Sequence, residues 1–103
     1  MEFINFTPHV IVLNNGPVIP RSGSIARVSV RYGEFDANGI ADAELVPHFE
    51  IPAPREGVIY VVSGLIAHVL KRSDVVSPAS THPDCRRDAT GQLISVPGFF
   101  RFA

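Results

Sequence analysis

IARVSVRYGEFDANGIADAELVPHFEI, residues 25–51, decides the reading of this chain. Asn38-Gly39 near its middle is the dipeptide preferred by a two-residue type I′ hairpin turn, in which both central residues adopt positive φ. Centring the turn there pairs residues whose numbers sum to 77. Tyr32 then faces Leu45, Val30 faces Pro47, Val28 faces Phe49 and Ala26 faces Ile51. The opposite face sets Arg27, Ser29 and Arg31 against Glu50, His48 and Val46. This register separates apolar from polar side chains, and a slip of one residue would mix them.

Outward from the hairpin, the pattern stays β-rich. His9-Val-Ile-Val-Leu13 reads as a buried strand turning at Asn14-Asn15-Gly16 into Pro17-Val18-Ile19. Residues 20–24 and 52–56 read as loops, the second held extended by its two prolines. Val58-Ile-Tyr-Val-Val62 is β-branched and aromatic, the composition of a central strand. Ser63 is placed to cap a short helix over residues 64–72, with Leu65, Ile66, Val69 and Leu70 on one face and Lys71 and Arg72 at the end that favours cations. Pro78 and Pro83 mark an irregular connection, and residues 85–88 and 92–96 read as a last hairpin turning at Ala89-Thr90-Gly91. Pro97-Gly98 then precedes the aromatic end, Phe99-Phe100-Arg101-Phe102. The fold class expected is α+β, mostly β: a small antiparallel sheet or partly open barrel of hairpins with one short α-helix, in a single domain over residues 1–103.

Composition narrows the classes of function. Apolar residues make up 46% of the chain and charged residues 18%, more hydrophobic material than a monomer of 103 residues easily hides, so a homo-oligomer is expected. The net charge of −1 gives no general attraction to nucleic acid or an anionic membrane. Charge is uneven, however: residues 34–56 hold six acids and one base, while residues 1–33 and 71–103 each carry +2. A single cysteine, Cys85, precludes an intramolecular disulfide. The opening MEFINFTPHV lacks the pattern of a signal peptide, and no apolar run reaches the length of a membrane span. A cytoplasmic protein without membrane contact is expected.

Several residue groups suggest chemistry. Arg21-Ser22-Gly23-Ser24 with Arg27 supplies the guanidinium, hydroxyl and backbone N–H donors that phosphate oxygens require, although the loop lacks the Lys-Ser/Thr and following helix of a P-loop. Arg72, Arg86 and Arg87 would add a second basic group if the helix end met the last hairpin. Ser63-Gly64 lacks the glycine two residues upstream that a hydrolase nucleophile elbow needs, and N-capping accounts for Ser63. His82 and Cys85 have too few partners at ligand spacing for zinc, so no metal or other cofactor is expected. Few bases and no stacking platform disfavour nucleic acid.

Asn5-Phe6-Thr7-Pro8-His9, Ser22-Gly23 with Ala26-Arg27-Val28, Tyr60-Val61-Val62-Ser63, Arg72-x-Asp74 and Arg87-Asp88-x-x-Gly91 occur together in this chain. In this it resembles a widespread family of small uncharacterised proteins encoded by phages and prophages. The likeness spans roughly residues 5–95 and departs at the Phe-rich C-terminus. It implies a small phage product acting in the cytosol of a bacterial host, and it carries no catalytic residue. The function expected is non-enzymatic counter-defence: sequestration of a small anionic, nucleotide-derived ligand by Arg21, Ser22, Ser24, Arg27, Arg72, Arg86 and Arg87. The alternative is an anti-CRISPR-like inhibitor that binds a host defence protein through an acidic hairpin bearing Asp42, Glu44 and Glu50. A second alternative is a self-associating accessory phage protein.

Overall fold

The run Val58–Val61 (β6) is short and β-branched, and the chain places it where such a strand is most useful, between two others. The computed structural model describes residues 1–47 and 51–102. In it β1 (Glu2–Asn5), β6, β7 (Val75–Pro78) and β10 (Phe99–Arg101) form one sheet in the order β1-β6-β7-β10. β1 and β7 both run parallel to β6, while β10 pairs antiparallel with β7. Parallel neighbours require a crossover. Between β6 and β7 it is made by α1 (Gly64–Leu70).

Alternation along β6 sends Val58 and Tyr60 to the helix side, where Val62 also packs, and Ile59 and Val61 to the other. On the helix side, Tyr60 stacks on Phe6 at 5.9 Å and packs with Val75, Ile66 and Ala67. On the other side, Val61 and Val76 meet Ile11, Ile19 and Val96, and Phe3 stacks on Phe99 at 5.0 Å. The sheet is therefore covered on both faces, which suits the unbroken apolar character of residues 58–62.

α1 starts where Ser63 predicts: its Oγ accepts from the Ile66 N–H at 3.4 Å. It ends at Lys71, whose left-handed conformation (φ 51°) directs its N–H to the Ala67 carbonyl. Ile66 and Ala67 are buried, whereas Leu65 of the expected apolar face is exposed.

Among the described residues, three antiparallel hairpins accompany the sheet: β2 (Ile11–Val12) with β3 (Val18–Ile19), β4 (Val28–Tyr32) with β5 (Ala43–Pro47), and β8 (Arg86–Arg87) with β9 (Leu93–Ser95). The fold is thus mostly β with one short helix and antiparallel hairpins, and no barrel closes among the described residues. In the expected buried strand of residues 9–13, Ile11 points inward while Val10 and Val12 are exposed.

The register of the long hairpin differs from the expected one. Val28 pairs with Pro47, Val30 with Leu45, Arg31 with Glu44 and Tyr32 with Ala43, so paired numbers sum to 75 rather than 77. The expected partners Phe49, His48 and Glu50 lie outside the described residues. The cause is the turn. Asp36 N–H donates to the Ile40 carbonyl (2.8 Å), Gly39 N–H donates to the Asp36 carbonyl (3.0 Å), and Asp36 Oδ1 accepts from the N–H groups of Asn38 and Ile40. Only Gly39 has positive φ (79°), so the loop is a three-residue turn with a glycine bulge instead of a type I′ turn. The next bonded pair is Gly33 with Asp42 (2.8 Å), leaving Glu34 and Phe35 opposite Ala41 alone. An offset of two preserves the faces, and Val28, Val30, Tyr32 and Leu45 still share one side. The last hairpin repeats the device: Asp88-Ala-Thr-Gly91 bonds in the same pattern, with Gly91 at φ 86°.

Candidate functional site: the carboxyl edge of the parallel strands

β1, β6 and β7 point the same way, so the segments that follow them emerge at one edge of the sheet. In open sheets with parallel strands, ligands bind beyond this carboxyl edge. A crevice of about 790 Å³ opens there. Its floor comes from the segments after the three strands: Thr7 and His9 after β1, Ser63 and Gly64 after β6, and Ser80 and Thr81 after β7, with Ser77 at the end of β7 itself. Its walls are apolar, from Val10 and Val12, from Leu93 and Ile94, and from Phe100 and Phe102. Among the described residues, no arginine, lysine or carboxylate lines it.

The first of these loops is fastened from below. Asn5 is buried; its amide nitrogen donates to the His9 carbonyl at 2.7 Å, and its Oδ1 accepts from Thr7 N–H (2.9 Å) and Thr7 Oγ1 (2.7 Å). Thr7 Oγ1 also accepts from His9 N–H at 3.3 Å. The motif Asn5-x-Thr7-x-His9 is therefore a self-satisfied turn that fixes the edge of the crevice, which gives a physical reason for that spacing.

A second, smaller hollow of about 290 Å³ adjoins the crevice, sharing Thr7. Arg21, Ser22, Gly23 and Ile25 complete it. Ser22 N–H donates to the Asn5 carbonyl (2.9 Å), and Ser22 Oγ lies 3.2 Å from the Ser24 carbonyl, which tightens the loop. Arg21 and Ser22 thus converge on one hollow. Ser24 shapes the loop without lining it, and Arg27 is exposed outside it.

The remaining arginines do not join them. Arg72 makes a two-pronged pair with Asp74 (Nε–Oδ1 3.0 Å, Nη2–Oδ2 2.7 Å), donates to the carbonyls of Ile51 and Pro52, and lies 6.0 Å from the centre of the Tyr60 ring. It therefore ties the loop at Ile51 and Pro52 to the sheet. Arg87 donates to the carbonyls of Gly91 and Ser80, bracing the last hairpin. Arg72 precedes β7 and Ser80 follows it, so the two guanidinium groups work at opposite ends of a four-residue strand, spanning roughly 13 Å. Arg86 is exposed and has no side-chain partner among the described residues.

On the acidic hairpin, Asp42 and Glu44 are exposed; Glu44 pairs with Arg31 at 3.3 Å, and Glu50 lies outside the described residues. The expected Arg27–Glu50 pair falls there too. His82 Nδ1 accepts from Asp84 N–H at 3.0 Å, and Cys85 Sγ donates to the Ala79 carbonyl at 2.9 Å. Among the described residues no three His, Cys, Asp or Glu side chains gather as for a metal, and no helix is long and apolar enough to cross a membrane.

The crevice was missed from sequence because it is assembled from three strand ends far apart in the chain. The available signal was a hydroxyl residue shortly after each strand: Thr7, Ser63, and Ser80 with Thr81. Comparison with protein families, curated proteins and solved structures gives no match to this chain.

Proposed function

We propose that this protein is a non-enzymatic binding protein of phage type that sequesters a small anionic, nucleotide-derived ligand in the bacterial cytosol, acting as a homo-oligomer. One observation carries the reading: the apolar, hydroxyl-lined crevice shares Thr7 with the hollow of Arg21 and Ser22. Its volume falls in the range of small-molecule sites. Apolar walls with Phe100 accept a planar base, the Ser and Thr hydroxyls accept the polar edges of base and sugar, and Arg21 meets a phosphate. Ser63, the hydroxyl nearest in position to a nucleophile, has its oxygen engaged in capping α1, which favours binding over catalysis.

Calorimetry of the purified protein against linear and cyclic nucleotides tests this. Binding is expected, weakened about 10- to 100-fold by Arg21→Ala, the loss of one charge-assisted hydrogen bond. Absence of binding by every nucleotide would overturn the proposal. A second reading, inhibition of a host defence protein through the acidic hairpin, draws support from the exposure of Asp42 and Glu44 on a projecting arm. Reversal of both to lysine should abolish such inhibition, and unchanged inhibition would end that reading.

A further inference from the structure

The hairpin β4–β5 is unfinished as a piece of monomer. Val28 at its base packs against the core, but Val30 and Leu45 on the same face are exposed, and beyond them Tyr32, Phe35 and Ile40 are 75%, 77% and 64% exposed. Isolated two-stranded hairpins are marginal in water, and an uncovered apolar face makes this one more so. The molecule's dimensions agree. Its radius of gyration is 16.0 Å, against about 13 Å for a compact domain of this size. Its accessible surface is 6974 Å², about 1,300 Å² more than the ~5,700 Å² that scaling with mass gives for a folded monomer. A standard interface buries about 800 Å² per partner, so the surplus is enough for one.

The same chain carries the receiving surface. Val10, Val12, Leu93 and Ile94 form an exposed apolar lip along the crevice, with Ile94 54% exposed. Arg86, without a side-chain partner among the described residues, sits beside the lip on β8, paired in register with Ser95. Charge is complementary too. Residues 28–47 hold four carboxylates and one guanidinium, net −3, so the rest of the chain carries +2 of the total −1. Two arms meeting each other would juxtapose like charge, whereas an arm meeting a body would not.

The geometry points to the β4–β5 arm as a self-association arm: its apolar face and acidic tip seat on the crevice lip of a second copy of this chain, which returns its own arm in a two-fold clasp. Resting on the ligand-binding reading above, the seated arm also roofs the crevice, so ligand is retained by the assembled form. The host protein of the second reading is not needed, because the arm and the surface that suits it belong to one sequence.

Sedimentation velocity of the full chain tests the clasp, using Tyr32→Ser with Phe35→Ser and, separately, Ile94→Glu. All three positions are surface positions, so circular dichroism and the thermal midpoint of the dissociated variants serve to show that they remain folded. Wild type is expected to sediment as a dimer and both variants as monomer, and a larger oligomer would contradict a two-fold clasp. A monomeric wild type, or an arm variant that sediments as wild type does, overturns the proposal. Dissociation by the arm variant with Ile94→Glu still associated also overturns it, since the arms would then be seated elsewhere. Calorimetry separates the two claims: an intact oligomer that binds no nucleotide condemns the ligand reading alone, and a monomer that binds nucleotide condemns the clasp alone.

Discussion

Every residue of β6 is buried or half-buried, held between β1 and β7 with packing on both faces, whereas in the β4–β5 arm only the base reaches the core. Both segments are rich in Val and Tyr, and both form strands. Residue type sets strand conformation, but burial depends on how many layers the topology lays over the strand. Tyr60 and Tyr32 show the contrast: one is 1% exposed with its hydroxyl 3.3 Å from the Ala53 carbonyl, and the other lies open on the arm. The sheet holds the molecule together and positions the crevice, and the arm is left to reach outward.

The contrast can be broken most sharply by truncating the two tyrosines. Tyr60→Ala should cost about 3–5 kcal/mol in urea unfolding, the range for large aromatic truncations in a core. Tyr32→Ala in dilute, monomeric protein should stay within about 0.5 kcal/mol. Comparable losses at the two sites would mean that the arm is part of the core. Next in size is Arg72→Ala, which strands Asp74 and two carbonyls and should cost about 1.5–3 kcal/mol, measured the same way.

The paired turns sharpen the comparison further. Gly39 and Gly91 hold the same positive-φ position with open space around the absent side chain, so alanine at either meets only backbone strain of roughly 1–2 kcal/mol. Gly91→Ala, in the hairpin that walls the crevice, should lower global stability. Gly39→Ala should instead speed hydrogen exchange of arm amides and leave global unfolding unchanged, as expected of a locally opening unit.

The smallest effect is electrostatic. The Thr90 hydroxyl, with the backbone N–H groups of Gln92, Thr90 and Gly91, holds the Asp88 carboxyl below its ordinary value. A lowered folded-state pKa means stability that is fully present above the unfolded value of about 3.9 and lost as pH falls through the folded one. The fall of the thermal midpoint with pH across that acid window should therefore be shallower for Asp88→Asn than for wild type.

Much of the fold was legible locally. The composition of residues 58–62, the cap at Ser63 and the glycines of all three hairpin turns each act within a few residues, and these elements formed close to where they were expected, although the helix stops at Leu70 and leaves Arg72 outside it because Lys71 turns left-handed. The long hairpin's register was not, because Asp36 accepts two backbone N–H groups and closes a different turn from the one Asn38-Gly39 suggests. β1 is only four residues long and begins with Glu2, and β7 ends in Pro78, so neither stood out as a strand. The Phe-rich end, without an assigned role in the sequence, supplies the edge strand β10. Parallel pairing is non-local and leaves no mark in either partner alone. The crevice depends on that pairing. Arg21 and Ser22, singled out in the sequence as candidate donors, do line one hollow, and the crevice hydroxyls beside them were not singled out.

The most direct test of the site is a nuclear magnetic resonance titration of the isotope-labelled protein with linear and cyclic nucleotides, followed at the backbone amides. The crevice account predicts saturable shifts at Thr7, Ser63, Ser77, Thr81 and Phe100 together with Arg21–Ser24, and little change around Arg72. Shifts centred on Arg72 and Asp74, or no saturable shift at any position, would contradict it.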